Sequence, residues 1–237
     1  SSDLDLVFLY ADEDRAQEHA ATRLVQKLMH WLTTPGSGQR LYAIDTRLRP
    51  NGRSGTLVSS MAAFASYQQQ HAWVWEWQSL CRARCICADN SLQQNFDRVR
   101  HDILAPARAT AAIRQPLLDM YARICREHAL APYSVAACRL RIQFLLQYWL
   151  LTLQLDSDGM TERAGAIPRN GLQQLQLLAR AYPDLQQPCE KLETLWVSLL
   201  TARNQAQLRL NEVPKVAAVA AAIDTIWQQV FADHEVD

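Results

Sequence analysis

Apolar residues dominate the first segment of the chain and then change their spacing. Residues 4–10 are mostly leucine, valine and phenylalanine, and acidic residues at 12–14 end the run, which predicts a β-strand. Over 15–32 the leucines recur at helical spacing, and a Pro-Gly pair soon stops the pattern. Residues 41–48 again favour a strand, and a glycine-containing loop follows. The pattern therefore predicts a strand–helix–strand unit at the front of the chain.

The remainder of the chain is typical of helices. Residues 61–70 and 72–84 predict two helices, and about six more follow from residue 91; only seven glycines occur in 237 residues. The breaks are expected at prolines and polar or glycine-containing segments, near Pro106, Pro116, Pro132, 156–159, 168–171, Pro183 and Pro214. We predict a helix-dominated α+β fold, with a small α/β domain over 1–105 and a helical bundle over 106–237.

Composition narrows the classes of partner and the compartment. Lys+Arg and Asp+Glu both number 24, so no global field attracts nucleic acid or an anionic membrane. The most apolar stretch, 140–155, is interrupted by Arg141 and Gln143, which predicts a buried helix and no membrane span. The six cysteines lack the spacing of a zinc site, and free thiols are typical of the cytoplasm. We expect a cytoplasmic protein.

Two aspartates at the front of the chain are candidates for metal chemistry. Side chains alternate faces along a strand, so Asp3 and Asp5 project together. Two neighbouring carboxylates repel, and a divalent cation removes that conflict, since Mg²⁺ prefers a few carboxylates together with phosphates and water. Because the chain opens directly on these residues, we expect that residues upstream of Ser1 are lacking.

The second predicted strand repeats the arrangement. Asp45, Arg47 and Arg49 fall on one face of it. If the two strands are neighbours, Asp45 joins Asp3 and Asp5 in a three-carboxylate cluster, and the arginines can neutralise the phosphates of a nucleoside triphosphate. The alternative is that Asp45 and the arginines form a surface ion-pair ladder, as many charged strands do. The residues alone leave both interpretations open.

Longer motifs resemble a known family. Residues 2–10, Ser-Asp-Leu-Asp-Leu-Val-Phe-Leu-Tyr, look like the active-site strand of polymerase-β-type nucleotidyltransferases. Residues 41–50, Leu-Tyr-Ala-Ile-Asp-Thr-Arg-Leu-Arg-Pro, then Tyr-Gln at 67–68 and Ala-Trp-x-Trp-Glu at 72–76, resemble glutamine synthetase adenylyltransferase. That family carries two related halves, of which one attaches AMP to a tyrosine of glutamine synthetase and the other removes it by phosphorolysis. The pattern after residue 66 is similar to the C-terminal, adenylylating half.

The resemblance implies a polymerase-β-like mixed sheet and Mg²⁺-dependent transfer of AMP from ATP to glutamine synthetase. It further implies a multifunctional enzyme of nitrogen metabolism, with a PII-type nitrogen signalling protein as a partner. By the same resemblance Asp3 and Asp5 would hold the metals, and Asp45 would complete the site and help to deprotonate the tyrosine. Residues on the nucleotide side of the site would be Ser2, Arg47, Arg49, Glu76 and Arg84.

The helical region departs from the family pattern. Family members have a glycine-rich turn that leads into an Asp-Ile-Glu-Phe helix start, and the counterpart here lies at 137–144. Arg141 stands in place of the aspartate and Gln143 in place of the glutamate. These changes could slow or inactivate the site, or Arg141 could bind phosphate. Two alternatives therefore accompany the transferase hypothesis: the deadenylylating half, and a degenerate regulatory or docking module without chemistry.

Overall fold

The protein is helix-dominated, with a few short parallel strands near its front, as the pattern predicts. The structure, a computed structural model, describes residues 3–11, 15–34, 43–50, 52, 55–155, 167–208 and 216–232. Within these ranges the strands are β1 (Leu4–Asp5), β2 (Phe8–Tyr10), β3 (Ile44–Asp45) and β4 (Val58–Ser60). The helices are α1 (Arg15–Thr33), α2 (Met61–Gln70), α3 (Val74–Leu80), α4 (Asn90–Leu104), α5 (Thr110–Glu127), α6 (Val135–Thr152), α7 (Gly171–Ala181), α8 (Pro183–Leu208) and α9 (Ala217–Phe231).

The chain divides into two compact units. The first unit contains Ser1–Leu80 and Arg84–Ile103, and the second contains Cys81–Ala83 and Leu104–Asp237. The first unit holds all the described strands together with α1 to α3 and nearly all of α4. The second holds α5 to α9.

Two pairs of parallel strands organise the first unit. β1 pairs with β3, and β2 pairs with β4. The strand predicted over 4–10 is interrupted at residues 6 and 7 because its first part pairs with β3 and its second part with β4. β4 itself was not indicated by the sequence, since its serines resemble a loop. The strand predicted over 41–48 ends at Asp45, and residues 41 and 42 lie outside the described residues.

Two helices, α1 and α2, pack against β2 and β4. α1 contacts β2 and β4, and Val25 of this helix is buried. β4 leads directly into α2, whose N-terminus is capped by the Ser60 hydroxyl, which accepts a hydrogen bond from the N–H of Ala63 at 3.1 Å. The cap fixes the start of the helix. Since α2 spans Met61–Gln70, the prediction of a helix over 61–70 is confirmed. The helix predicted over 72–84 is shorter, and spans only Val74–Leu80.

The second unit is built around α6. This helix contacts α5, α7, α8 and α9, and it is apolar on nearly all sides, as expected of a helix at the centre of a bundle. Its largest fully buried side chains are Ile142, Leu145, Leu146, Leu150 and Leu151. The prediction of a buried helix in this stretch is confirmed. Among the described helices, none is both long and apolar enough to cross a membrane.

The break predicted at Pro116 is wrong, because this proline lies inside α5. A proline in a helix removes one backbone hydrogen bond and is tolerated best where water can bind the freed carbonyl. Pro116 is exposed, whereas Ile113 and Leu117 nearby in the helix are fully buried and hold the helix in place. Pro183 begins α8 as its first residue, a position that proline favours. The breaks expected at 156–159 and Pro214 fall outside the described residues.

Gly171→Ala should destabilise the second unit. A Cβ atom built on Gly171 would lie 2.9 Å from Cζ3 of Trp196 on α8, and overpacking of this kind costs about 1–3 kcal/mol. That cost exceeds the gain of roughly 1 kcal/mol in helix propensity. Urea unfolding checks the prediction in a double-mutant cycle with Trp196→Ala, which makes room for the added methyl group. A loss of equal size in both backgrounds would show that Trp196 is not the cause.

Candidate active site

Asp5 and Asp45 lie opposite each other on neighbouring strands. β1 and β3 are parallel, and Asp5 is the register partner of Asp45. The N–H of Leu4 donates to the carbonyl of Ala43, and the N–H of Leu6 donates to that of Asp45, both at 2.8 Å. Register partners share a face of a sheet and their strands are about 4.8 Å apart, so both carboxylates project from the same side. The condition that the two strands be neighbours is met.

Arg47 supplies positive charge to this pair. Oδ1 of Asp45 accepts the backbone N–H of Arg47 at 2.8 Å, and Oδ2 accepts Nε–H of the same residue at 2.6 Å. Nη2 of Arg47 completes an ion pair with Oδ2. The hydrogen bond and the charge of Asp45 are the largest causes that raise the pKa of the Arg47 guanidinium, and the charges of Asp5 and Asp3 raise it further. One guanidinium therefore lies in the field of all three carboxylates.

The arginines do not continue the strand, so the prediction that they share its face with Asp45 is wrong. The hydrogen bond from the Arg47 N–H to Asp45 Oδ1 closes an Asx-type turn, and β3 ends there. Arg47 folds back onto Asp45, while Nη1 of Arg49 donates to the carbonyl and hydroxyl oxygens of Thr46 at 2.7 and 2.6 Å. Among the described residues Nε of Arg49 is buried and has no hydrogen-bond partner.

A second turn holds the loop after the arginines. The N–H of Gly52 donates to the carbonyl of Arg49 at 2.8 Å. Gly52 has a φ of +53°, a left-handed conformation that glycine adopts without steric cost. Pro50 between them is buried. The loop that carries both arginines is thus fixed at each end by local hydrogen bonds.

Three carboxylates are not gathered into one ready-made metal site. Within the described ranges, no group of three or more His, Cys, Asp or Glu side chains is arranged to hold a metal ion. Asp3 is exposed and precedes β1. The carboxylate oxygens of Asp5 and Asp45 are nevertheless the hard ligands that Mg²⁺ prefers, and their shared face fits a cation between neighbouring strands. The assignment of metal ligands stays a prediction.

Glu76 connects α2 to α3. Its side chain is only 3% exposed, and its carboxylate accepts the N–H of Trp73 at 2.8 Å and the hydroxyl of Tyr67 at 3.2 Å. The bond from Trp73 is the glutamate half of a capping box at the start of α3. Nε1–H of Trp77 donates to the carbonyl of Gln68 at 3.0 Å. These contacts give the Tyr-Gln and Trp-Glu motifs a structural function that spacing alone did not indicate.

Among the described residues, the contacts of Glu76 and the exposed position of Arg84 do not assign either residue a nucleotide-binding role. Glu76 is engaged by Tyr67 and Trp73, and Arg84 is exposed in the segment after α3. Ser2 lies outside the described residues. A nucleotide-binding role for these three residues stays a prediction.

Arg141 is part of a network inside the second unit. Its Nε–H donates to the hydroxyl of Tyr121 at 2.9 Å, and its Nη1 lies 3.2 Å from Oδ1 of Asp224. Burial is the largest cause that raises the pKa of Tyr121 to about 12. The rings of Phe144 and Trp227 pack against Tyr121. This network joins α5, α6 and α9 and gives Arg141 a structural role, and phosphate binding by Arg141 stays a hypothesis.

Comparison with known proteins places the front of the chain in a family. The model of the family described as glutamate-ammonia ligase adenylyltransferase matches residues 1–99. A bifunctional glutamine synthetase adenylyltransferase/adenylyl-removing enzyme from Chromobacterium violaceum is 40% identical over 170 residues, which cover 70% of this chain and 19% of that protein.

Two further relatives match nearly the whole chain. Proteins of the same description from Bordetella pertussis and Nitrosomonas eutropha are 36% and 31% identical over 248 residues, which cover 98% of this chain in each case. The matched regions are 25% and 24% of those proteins. The chain therefore spans about a fifth to a quarter of the length of these curated relatives.

Glu76→Gln should remove part of the pH dependence of stability. Burial is the largest influence on Glu76 and raises its pKa above the ordinary value, against the hydrogen bonds from Trp73 and Tyr67, which lower it. The folded protein then binds the proton more tightly than the unfolded chain does. The stabilisation is present below the ordinary pKa and is lost as the pH rises through the raised pKa.

Urea unfolding of both proteins from acid to neutral pH measures this effect. The free energy of unfolding of the wild type, relative to Glu76→Gln, should fall as the pH rises. Asp102→Asn, which changes an exposed side chain of α4, serves as the control. A constant difference between wild type and Glu76→Gln at every pH would rule out the explanation from burial.

Proposed function

This chain belongs to the glutamate-ammonia ligase adenylyltransferase family, and on that premise we propose that the chain transfers AMP from ATP to a tyrosine of glutamine synthetase. The observation that carries the proposal is the opposed pair of Asp5 and Asp45, with Arg47 beside it. Carboxylates that share a face next to guanidinium groups suit the transfer of a nucleotidyl group. The Tyr-Gln and Trp-Glu motifs at 67–76 favour the adenylylating half.

Asp5 and Asp45 would hold Mg²⁺, with Asp3 next to them on the same face. When bound, Mg²⁺ would offset negative charge on the phosphates and make the attacking hydroxyl more acidic. In the proposed reaction a bond forms between the tyrosine oxygen and the α-phosphorus of ATP. The bond from the α-phosphorus to the pyrophosphate oxygen breaks, and Asp45 accepts the tyrosine proton.

The two arginines would bind the departing pyrophosphate. Guanidinium groups donate paired hydrogen bonds to phosphate oxygens. Arg47 is 60% exposed in its side chain, so its guanidinium is accessible to a nucleotide. The buried Nε of Arg49 lacks a partner among the described residues, and a phosphate oxygen would satisfy this donor. These contacts would place positive charge where negative charge grows during the reaction.

A second candidate is phosphorolytic removal of AMP from the modified tyrosine. The names of the relatives combine both activities, and the same pair of aspartates would serve either reaction. A third candidate is a docking module without chemistry, which the Arg141 network in place of the family's acidic pair favours. We further propose a cytoplasmic location and control by a PII-type signalling protein, in line with the motifs of the family.

Asp5→Asn and Asp45→Asn should each reduce AMP transfer by about 10²-fold or more, because each removes a carboxylate from the site. The assay follows label from α-labelled ATP into glutamine synthetase in the presence of Mg²⁺. The control variant is Asp119→Asn, which should retain full activity. Asp119 is an exposed residue of α5 whose carboxylate accepts a hydrogen bond from Gln115. Circular dichroism confirms that the variants stay folded.

The same preparations separate the three candidates. Label that enters glutamine synthetase supports the transferase, and orthophosphate-dependent release of ADP from modified glutamine synthetase supports the removing reaction. If neither reaction occurs and ATP does not bind, the docking module is the better account. Full transfer by Asp5→Asn and Asp45→Asn would refute the proposed site.

A further inference from the structure

Both oxygens of the Asp45 carboxylate are already occupied by Arg47. Oδ1 accepts the backbone N–H, and Oδ2 is shared between Nε and Nη2 of the guanidinium. The Asp45 side chain is 14% exposed and that of Arg47 is 60% exposed. A cation that approaches this side of Asp45 therefore meets a carboxylate whose Oδ2 is already neutralised by Arg47. The long side chain of Arg47 is exposed and can move away from the carboxylate.

Arg47 also lies in the field of the other two carboxylates. The charges of Asp5 and Asp3 both act on its guanidinium. Opposed carboxylates on neighbouring strands repel each other, and a positive charge at their edge reduces that repulsion. Arg47 thus performs, in the protein alone, the electrostatic task that a divalent cation would perform in the loaded site.

Building on the proposed function, we propose that Arg47 is an exchangeable counter-ion, which neutralises Asp45 before a divalent cation binds and then moves to the phosphates of the nucleotide. The exchange exploits two chemistries of one group, since guanidinium pairs with carboxylate and with phosphate in the same bidentate manner. Arg47 is a positioning residue in the first state and a nucleotide ligand in the second.

Arg49 is not suited to the same exchange. Its Nη1 is held by both oxygens of Thr46, at 2.7 and 2.6 Å. Its side chain is half-buried, and its Nε is enclosed. Within the part of the chain that the structure describes, Arg47 by contrast donates its hydrogen bonds to the carboxylate that a metal would need. Arg49 therefore provides a matched control for the loss of a positive charge from the same loop.

If Arg47 exchanges in this way, its removal should change two affinities in opposite directions: the affinity for the cation alone and the affinity for the cation–nucleotide complex. Without Arg47, a divalent cation no longer competes with a guanidinium for Asp45, so the affinity of the protein for the cation alone should rise. An exposed ion pair contributes about 0.2–1 kcal/mol, which corresponds to about a 1.4- to fivefold increase. The cation–nucleotide complex loses a phosphate contact instead, so its affinity should fall by about fivefold or more.

The test titrates Mn²⁺ into the full chain, first alone and then with a non-hydrolysable ATP analogue. Electron paramagnetic resonance of free Mn²⁺ gives the first affinity, and calorimetry gives the second. Arg47→Ala should bind Mn²⁺ more tightly and the Mn²⁺–nucleotide complex more weakly. Arg47→Lys should fall between wild type and Arg47→Ala in both titrations. Arg49→Ala should change the affinity for Mn²⁺ alone less than Arg47→Ala does.

Each outcome decides between distinct accounts. Opposite signs for Arg47→Ala support the exchange. If Mn²⁺ alone binds equally to wild type and Arg47→Ala, or if both affinities fall together, the exchange is overturned while the proposed metal site stands. An equal gain for Arg49→Ala also overturns it, because general charge then explains the effect. If wild type binds no Mn²⁺ with or without nucleotide, the proposed function itself fails.

Discussion

Two carboxylates held opposite each other on neighbouring parallel strands repel, and the front unit of this protein is built so that they stay in place. The register of β1 and β3 sets Asp5 against Asp45 through backbone hydrogen bonds, which do not depend on the side chains. The Asx-type turn then brings Arg47 back to the pair. The charge conflict therefore comes from the strand register and its compensation from the short loop after β3, and the proposed chemistry depends on that arrangement.

The motifs that resemble the family contain residues that hold the structure together as well as residues of the proposed site. In the Asp-Thr-Arg-Leu-Arg-Pro segment at 45–50, Asp45 and Arg47 form the charged pair, and Arg49 secures the loop through Thr46. In the segment at 67–76, Glu76 holds Tyr67 and the start of α3. A long motif of this kind therefore indicates the family, while some of its residues hold the backbone in place.

Periodicity predicted the helices well because helical spacing repeats over many residues. α1 and α2 follow the predicted ranges closely, and α6 is buried as its apolar composition indicates. Periodicity failed to predict the structure where one contact overrides the local pattern. The strand at 41–48 stops because Asp45 captures a backbone N–H, and α5 continues through Pro116 because buried neighbours hold it. The ion pair of Arg141 with Asp224 joins α6 to α9, and no local pattern in the sequence indicates such a pair.

The most direct measurement of the central claim is a crystal structure with Mn²⁺ and a non-hydrolysable ATP analogue, with anomalous scattering used to locate the metal. The account predicts an anomalous peak coordinated by oxygens of Asp5 and Asp45, with the triphosphate bound to it. A peak coordinated by neither aspartate, or a nucleotide bound at a distance from both strands, would contradict it.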